Sequence, residues 1–235
     1  MAAPSPETRR PDEVRGMFDE IAPTYDRANH LLSLSIDRTW RWRTARAVSQ
    51  RQPRRVLDLC CGTGDLSLAL ARALPRATII GADFSHAMLR RAQAKAPGEA
   101  FAQADALRLP FADASFDAIT AAFGFRNLSD YGAGLREFRR VLAPGGRLAI
   151  LEAAEPTLPV FAHAYRFYFH RVLPKLGGWI SGHPEAYDYL PRSVRRFPPP
   201  AELSAMIAAA GFGDVFCRRF LGGVATLHLA SATLY

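Results

Sequence analysis

The stretch Val56-Leu57-Asp58-Leu59-Cys60-Cys61-Gly62-Thr63-Gly64-Asp65-Leu66 decides the fold of this 235-residue chain. A short, mostly apolar run suited to a buried strand enters a turn of small residues, and the apolar positions then take up helical spacing over Leu66–Leu74. Glycines at 62 and 64 permit tight turning and close approach of the backbone to a ligand at the carboxyl end of a parallel strand. A tight strand-to-helix turn with no ligand would explain the same glycines, so the loop alone does not define a function.

Outward from this loop, short apolar runs alternate with helical patterns, as in βαβ units. Strands are expected at Arg55–Leu59, Thr78–Ala82, Ala100–Gln103, Phe116–Ala121 and Arg147–Leu151, and helices at Leu66–Leu74, Ala87–Lys95 and Gly134–Val141, the last stopped by Pro144-Gly145-Gly146. The expected fold is α/β: a doubly wound, mostly parallel sheet. Residues 1–53 read as a helical cover interrupted at Pro23, 54–155 as the ligand-binding core, and 156–200 as a substrate-side insertion rich in aromatics from Phe161 to Tyr189. Residues 201–235 close the sheet with a helix and a hairpin, Val215–Leu221 and Val224–Thr233, joined at Gly222-Gly223. All four segments are expected to form one unit.

No run approaches the roughly 18 apolar residues of a membrane span, and the start, MAAPSPETRRPDEVRG, has no apolar core of a secretory signal. Cys60, Cys61 and Cys217 form neither a disulfide framework nor a spaced metal-ligand pattern, so a reducing, cytoplasmic compartment and no metal are expected. The net charge of +8 is distributed unevenly. Residues 1–55 carry 11 basic and 7 acidic groups, 56–160 carry 11 and 11, and 161–235 carry 8 and 4. A neutral centre with basic, aromatic flanks suits a membrane surface or an anionic ligand as well as RNA. Only Lys95 and Lys175 are lysines among 30 basic residues, a bias that composition alone could produce.

The ligand chemistry is narrowed by acids. Asp83 closes the second strand about 20 residues past the glycine loop, where a carboxylate accepts both hydroxyls of an adenosine ribose. Asp105 follows the third strand, so Asp58, Asp83 and Asp105 are expected around one crevice. A dinucleotide needs a third glycine where Ser67 stands, and Asp58 and Asp65 would repel a pyrophosphate while suiting a sulfonium and an α-ammonium. S-adenosylmethionine fits better than NAD. Asp65 could equally be an ordinary first-turn helix residue, and Asp113 and Asp117 read as structural.

The chain resembles the class I S-adenosylmethionine-dependent methyltransferases, and specifically the ubiquinone/menaquinone biosynthesis C-methyltransferase family. The likeness runs from Phe18-Asp19-Glu20-Ile21-Ala22-Pro23-Thr24-Tyr25-Asp26 and Ile36-Asp37-Arg38-Thr39-Trp40-Arg41 through the glycine loop, Ala82-Asp83-Phe84-Ser85 and Ala104-Asp105-Ala106. Two segments carry the family specificity: Phe123-Gly124-Phe125-Arg126-Asn127 and Tyr187-Asp188-Tyr189-Leu190. Two departures stand out: the first glycine of the usual loop is Cys60, acceptable only if its φ is negative, and Ala122 stands where some members have serine.

The resemblance implies methyl transfer to a ring carbon of a reduced, demethylated polyprenyl quinone, with Thr63, Asp83, Asp105 and Ala106 as cofactor contacts. To these our own reading adds Asp58, Gly62 and Gly64. Loss of a phenolic proton pushes charge onto the ortho carbon, so activation means stabilising a phenolate. Arg126, expected in a loop at the cleft mouth, is the candidate for that charge; Asn127 for holding a ring oxygen; Tyr25 for orienting the ring or relaying a proton; and a bound water or His170 for taking the proton. The aromatic insertion would line a channel for the isoprenoid tail, with Arg166, Arg171 and Lys175 near lipid headgroups. Nucleic-acid binding is not expected, and a homodimer is compatible with the sequence. The competing readings are a methyltransferase of another small phenol or lipid and a non-catalytic cofactor- or RNA-binding protein.

Overall fold

The computed structural model describes residues 11–156 and 159–233, with no side-chain description for 11, 159–161 and 164. The first ten residues, whose start reads as lacking a secretory signal, and the contribution of the Phe161 ring to the aromatic layer therefore lie outside the described residues.

Among the described residues, three helices precede the sheet: α1 (Pro11–Ile21), α2 (Tyr25–Leu32) and α3 (Ile36–Ser49). The first break follows from Pro23, and the second from Leu34 and Ser35, whose φ values of 51° and 59° leave the right-handed helix. The core then alternates β1 (Arg55–Leu59), α4 (Asp65–Ala73), β2 (Thr78–Asp83), α5 (His86–Lys95), β3 (Ala100–Gln103), β4 (Phe116–Ala122), α6 (Tyr131–Val141) and β5 (Leu142–Ala153). Ser85 caps α5 by accepting from the Met88 amide at 3.1 Å, and Asp130 caps α6 through the Ala133 amide at 2.8 Å.

The seven strands lie in the order β3-β2-β1-β4-β5-β7-β6, parallel from β3 to β5. β7 (Ala225–Ala232) inserts antiparallel between β5 and β6 (Phe212–Phe220), completing the sheet. The order reverses at β1, with β2 on one side and β4 on the other, so a crevice opens there at the carboxyl ends of the strands. Both faces of β1 and β4 are buried, which is why their sequences are near-continuous apolar runs. Pro144-Gly145-Gly146 does not stand outside β5: the register with β4 jumps from Phe116↔Leu142 to Ala118↔Arg147, and the turn residues form a bulge with Gly145 at φ 73°.

After β5 the chain runs through one continuous helical rod, α7 (Pro159–Phe167), a π-helical turn (Tyr168–Val172) and α8 (Leu173–Ser181), then α9 (Pro184–Arg196) and α10 (Pro200–Ala209). The widened turn ends just before Pro174, whose ring clashes with a regular helical ladder and has no N–H to donate. The insertion packs back on the cover: Tyr168 Oη donates to the Leu32 carbonyl at 2.8 Å, and Phe169, Leu173, Tyr187 and Tyr189 share a buried cluster with Val14, Met17 and Ile21. Among the described residues no helix is long and apolar enough to cross a membrane.

Candidate active site

The glycine loop, the ends of β2, β3 and β4, and the cover enclose a cleft of about 350 Å³. Its floor is the loop after β1. Gly62 and Gly64 have φ values of 54° and 82°, and a Cβ on Gly64 would stand 3.1 Å from that of Ala92, so turning and close packing both require glycine there. Cys60 has φ 50°, which contradicts the condition under which its replacement of glycine was acceptable. The turn imposes the left-handed conformation, at a cost of about 1–2 kcal/mol for a residue with a Cβ. The space for this side chain comes from Gly124, where a Cβ would sit 2.3 Å from Cys60 Cβ.

The acids divide into two kinds. Asp58 is fully buried and its two oxygens accept from Ser67 Oγ at 2.6 Å and Thr120 Oγ1 at 2.7 Å. It lines the cleft floor, and each of its oxygens already accepts one hydroxyl from inside the fold. Burial pushes its carboxyl up to about 6, against the two hydroxyls. Asp83 is 6% exposed and accepts from the Gly62 amide at 2.8 Å and the Ser85 amide at 2.9 Å, one at each oxygen. It therefore holds the glycine loop in place while facing the cleft, and burial raises it to about 6 as well. Asp105 is exposed at the rim, its Oδ1 accepting from the Leu107 amide at 2.9 Å, with Ala106 beside it on the cleft wall.

Thr63 is buried and donates to Asp26 Oδ1 of α2 at 2.5 Å. Lys95, at the end of α5, reaches three acceptors from three elements: Asp26 Oδ2 at 2.6 Å, Asp65 Oδ1 at 2.6 Å and Thr63 Oγ1 at 3.2 Å. Burial would raise the Asp65 carboxyl, but Arg41, Lys95 and His30 together hold it below its ordinary value. His30, Asp37 and Asp65 bring one ligand-type atom each within 4.8 Å, but both carboxylates already have cations: Arg41 on Asp37 and Lys95 on Asp65. A second tie joins Asp19 of α1 to Ser85 Oγ at 2.5 Å. The cover is thus fastened to the loop and to α5 by its own carboxylates. Asp113 pairs with Arg140, and Asp117 accepts the Arg54 and Arg55 amides, as their structural reading requires.

Tyr25 lines the cleft, 4.0 Å from where a Gly62 Cβ would lie. Burial raises its phenol, while Arg41, Arg126 and a hydrogen bond with Asn29 pull it down. Asn127 also lines the cleft, its Oδ1 accepting from Tyr189 Oη of α9 at 3.1 Å. Arg126 does not occupy the expected place at the cleft mouth. It lies in a 3-10 turn (Phe125–Asn127), with its guanidinium 2.9 Å from Glu152 Oε2, 3.3 Å from Ser193 Oγ and against the Phe123 carbonyl. Glu152 is fully buried and its other oxygen accepts the Arg126 amide at 3.0 Å. Burial alone would lower Arg126, but Glu152, Tyr25 and Tyr189 more than offset it and the guanidinium is held charged. His170 stands on the π-helical turn with its ring edge-on to Phe169 at 5.7 Å, away from the cleft lining. Its expected role as base at the ring is not met by this geometry.

Glu152, Lys95 and Asp26 carry much of the site and were not singled out from the sequence. Glu152 does have a signal there, a lone acid ending the apolar run Leu148–Leu151, and Lys95 is one of two lysines.

The cleft chemistry suits a cationic, hydroxyl-rich ligand. Carboxylates stand at the ends of β2 and β3, a Cβ at Gly64 would crowd Ala92 beneath the loop, and the hydroxyl of Thr63 is at the loop's centre. The chain matches the model of the ubiE/COQ5 methyltransferase family over residues 6–232. It is 52% identical over 217 residues to the demethylmenaquinone methyltransferase of Thermus thermophilus, covering 91% of this chain and 98% of that protein. The Deinococcus radiodurans protein of the same name is 49% identical, covering 85% and 84%. Among solved structures, a SAM-dependent methyltransferase of Thermotoga maritima, described as a possible histamine N-methyltransferase, superposes with a TM-score of 0.64 at 17% identity over 93% of this chain and 99% of that one, a likeness of fold.

Proposed function

Since the chain belongs to the ubiE/COQ5 methyltransferase family, we propose that it transfers a methyl group from S-adenosylmethionine to a ring carbon of a reduced demethylmenaquinone. The observation that carries this reading is the meeting, in one cleft, of an acid-lined glycine loop with two polar side chains suited to a phenol, Tyr25 and Asn127. When bound, S-adenosylmethionine supplies a methyl on a positively charged sulfur. Asp83 accepts from the ribose hydroxyls through the lone pairs that the Gly62 and Ser85 amides leave free, and Asp105 accepts from the adenine amino group. Thr63 and Lys95, tied to Asp26, set the loop and the cover around the methionine end.

The acceptor gains nucleophilicity at carbon when a ring hydroxyl gives up its proton to water in the cleft, and the hydrogen displaced from the methylated ring carbon then returns to that oxygen as a proton. Asn127 offers its amide hydrogens to that oxygen while Tyr189 occupies its carbonyl, and Tyr25 orients the ring. Arg126 acts through the structure: its bonds to Glu152, Ser193 and Phe123 fix the turn that carries Asn127. A polyprenyl tail places the acceptor in a bilayer, so contact with the inner face of a membrane accompanies this function. Turnover of short-tailed reduced demethylmenaquinone against its ubiquinone-pathway benzoquinol counterpart tests the acceptor class. Faster methylation of the naphthoquinol supports the reading, and turnover of neither quinol, in protein that binds S-adenosylmethionine, overturns it.

A further inference from the structure

The helical rod from Pro159 to Ser181 has two unlike faces. Phe169, Leu173, Gly177, Gly178 and Ser181 are buried against the rest of the protein. The opposite stripe follows the same helical spacing, through the widened π turn, and exposes Arg166, Phe167, Arg171, Lys175, Leu176 and Trp179. Trp179 is 85% exposed and Phe167 66%. No Asp or Glu occurs between Glu155 and Glu185, so every formal charge on this rod's side chains other than histidine is positive. The patch continues onto the cover: Tyr168 bonds the Leu32 carbonyl, and Leu31 and Leu34 flank that point with 58% and 78% exposure.

A solvated helix face ordinarily mixes both signs of charge and hides its largest apolar groups. Here large apolar side chains alternate with cations only, the composition of a helix lying in a lipid–water interface with its rings at headgroup depth. We propose that this stripe, with Leu31 and Leu34, docks the protein on an anionic lipid bilayer. The inference rests on the proposed polyprenyl acceptor for its purpose, but its geometry is independent of the reaction. The exposed apolar side chains enter the acyl boundary, and Arg166, Arg171 and Lys175 meet the negatively charged headgroups within a Debye length.

The test uses the full chain with vesicles of phosphatidylcholine alone and mixed with phosphatidylglycerol. In a Trp42→Phe background, Trp179 reports the contact, because Trp40 is buried. Binding to the anionic vesicles at low salt, a blue shift of the emission and quenching by lipids brominated near the headgroup are expected. Replacing Arg166, Arg171 and Lys175 together by Gln should weaken binding on the order of 100-fold. Phe167→Ala/Trp179→Ala should release the protein from vesicles while preserving turnover of a soluble short-tailed quinol. Retention unchanged in both variants, or a Trp179 that lipid does not quench, overturns the proposal. So does a dimer in buffer that Trp179→Ala dissociates without any vesicle binding, which would assign the face to a second copy. Docking without methylation of any quinol would sink the proposed reaction and leave the surface standing.

Discussion

Cys60 and Gly124 form one steric unit. Cys60 holds a left-handed φ and its Cβ fills the space that Gly124 leaves. Cys60→Gly should therefore raise stability by about 1 kcal/mol, read as a higher melting temperature. Gly124→Ala should lower it by about 2 kcal/mol or more through the clash, and Cys60→Gly should largely rescue that loss in the double variant. Additive effects would show that the two positions do not compete for this space. At Asp83 the sign of the pH effect follows from a carboxyl raised from 3.8 to about 6 by burial. Between these values the folded chain holds a proton that the unfolded chain has lost, so its contribution to stability declines as pH rises through the window. Binding by the ionised carboxylate has the opposite slope. S-adenosylmethionine affinity should rise as pH rises through about 6, by up to about tenfold per unit below it, and level off above. Calorimetric titrations across this range check it; Asp83→Asn should weaken and flatten the profile, whereas Asp58→Asn, whose carboxylate serves Ser67 and Thr120, should keep the slope.

At the scale of elements, two charged devices hold the cleft. Arg126 on the turn after β4 and Glu152 on β5 neutralise each other, the carboxylate fully buried and the guanidinium nearly so. Removing either partner alone strands a buried charge, so Glu152→Leu or Arg126→Leu should cost about 3–5 kcal/mol in denaturant unfolding. The double leucine variant should recover most of that stability while staying poorly active. Lys95 ties α2, α4 and the glycine loop together, and Lys95→Met should raise KM for S-adenosylmethionine several-fold with a smaller change in kcat, Lys95→Arg recovering part of it. Hydrogen exchange over α2 should rise in parallel if the cover loosens. The strands and helices of the core were legible because their apolar periodicities differ, and β1 and β3 stand where the sequence put them. The ion pairs were not, because Arg126 and Glu152, or Lys95 and Asp26, are joined only by the packing of distant elements. Arg126 reads as a cleft residue in sequence because its neighbour Asn127 is one; in the 3-10 turn its guanidinium goes instead to Glu152, Ser193 and the Phe123 carbonyl.

For the whole molecule, the alternation of strands and helices foretold a doubly wound sheet, and the acids at successive strand ends foretold where the cleft would be. The insertion resisted this logic. Its aromatics read alike whether buried or exposed, so the division between Phe169 and Tyr187 inside and Phe167 and Trp179 outside emerged only from the fold. His170 was drawn toward the chemistry by its residue type, and the turn it occupies leads elsewhere. The central claim is that this cleft carries a methyl from S-adenosylmethionine to carbon. It is tested most directly by incubating the protein with S-adenosylmethionine bearing a deuterated methyl and short-tailed reduced demethylmenaquinone, then locating the label by tandem mass spectrometry. The account predicts the deuterated methyl on a ring carbon of the naphthoquinol; label confined to a phenolic oxygen, or absent from the quinol while the cofactor is bound, would contradict it.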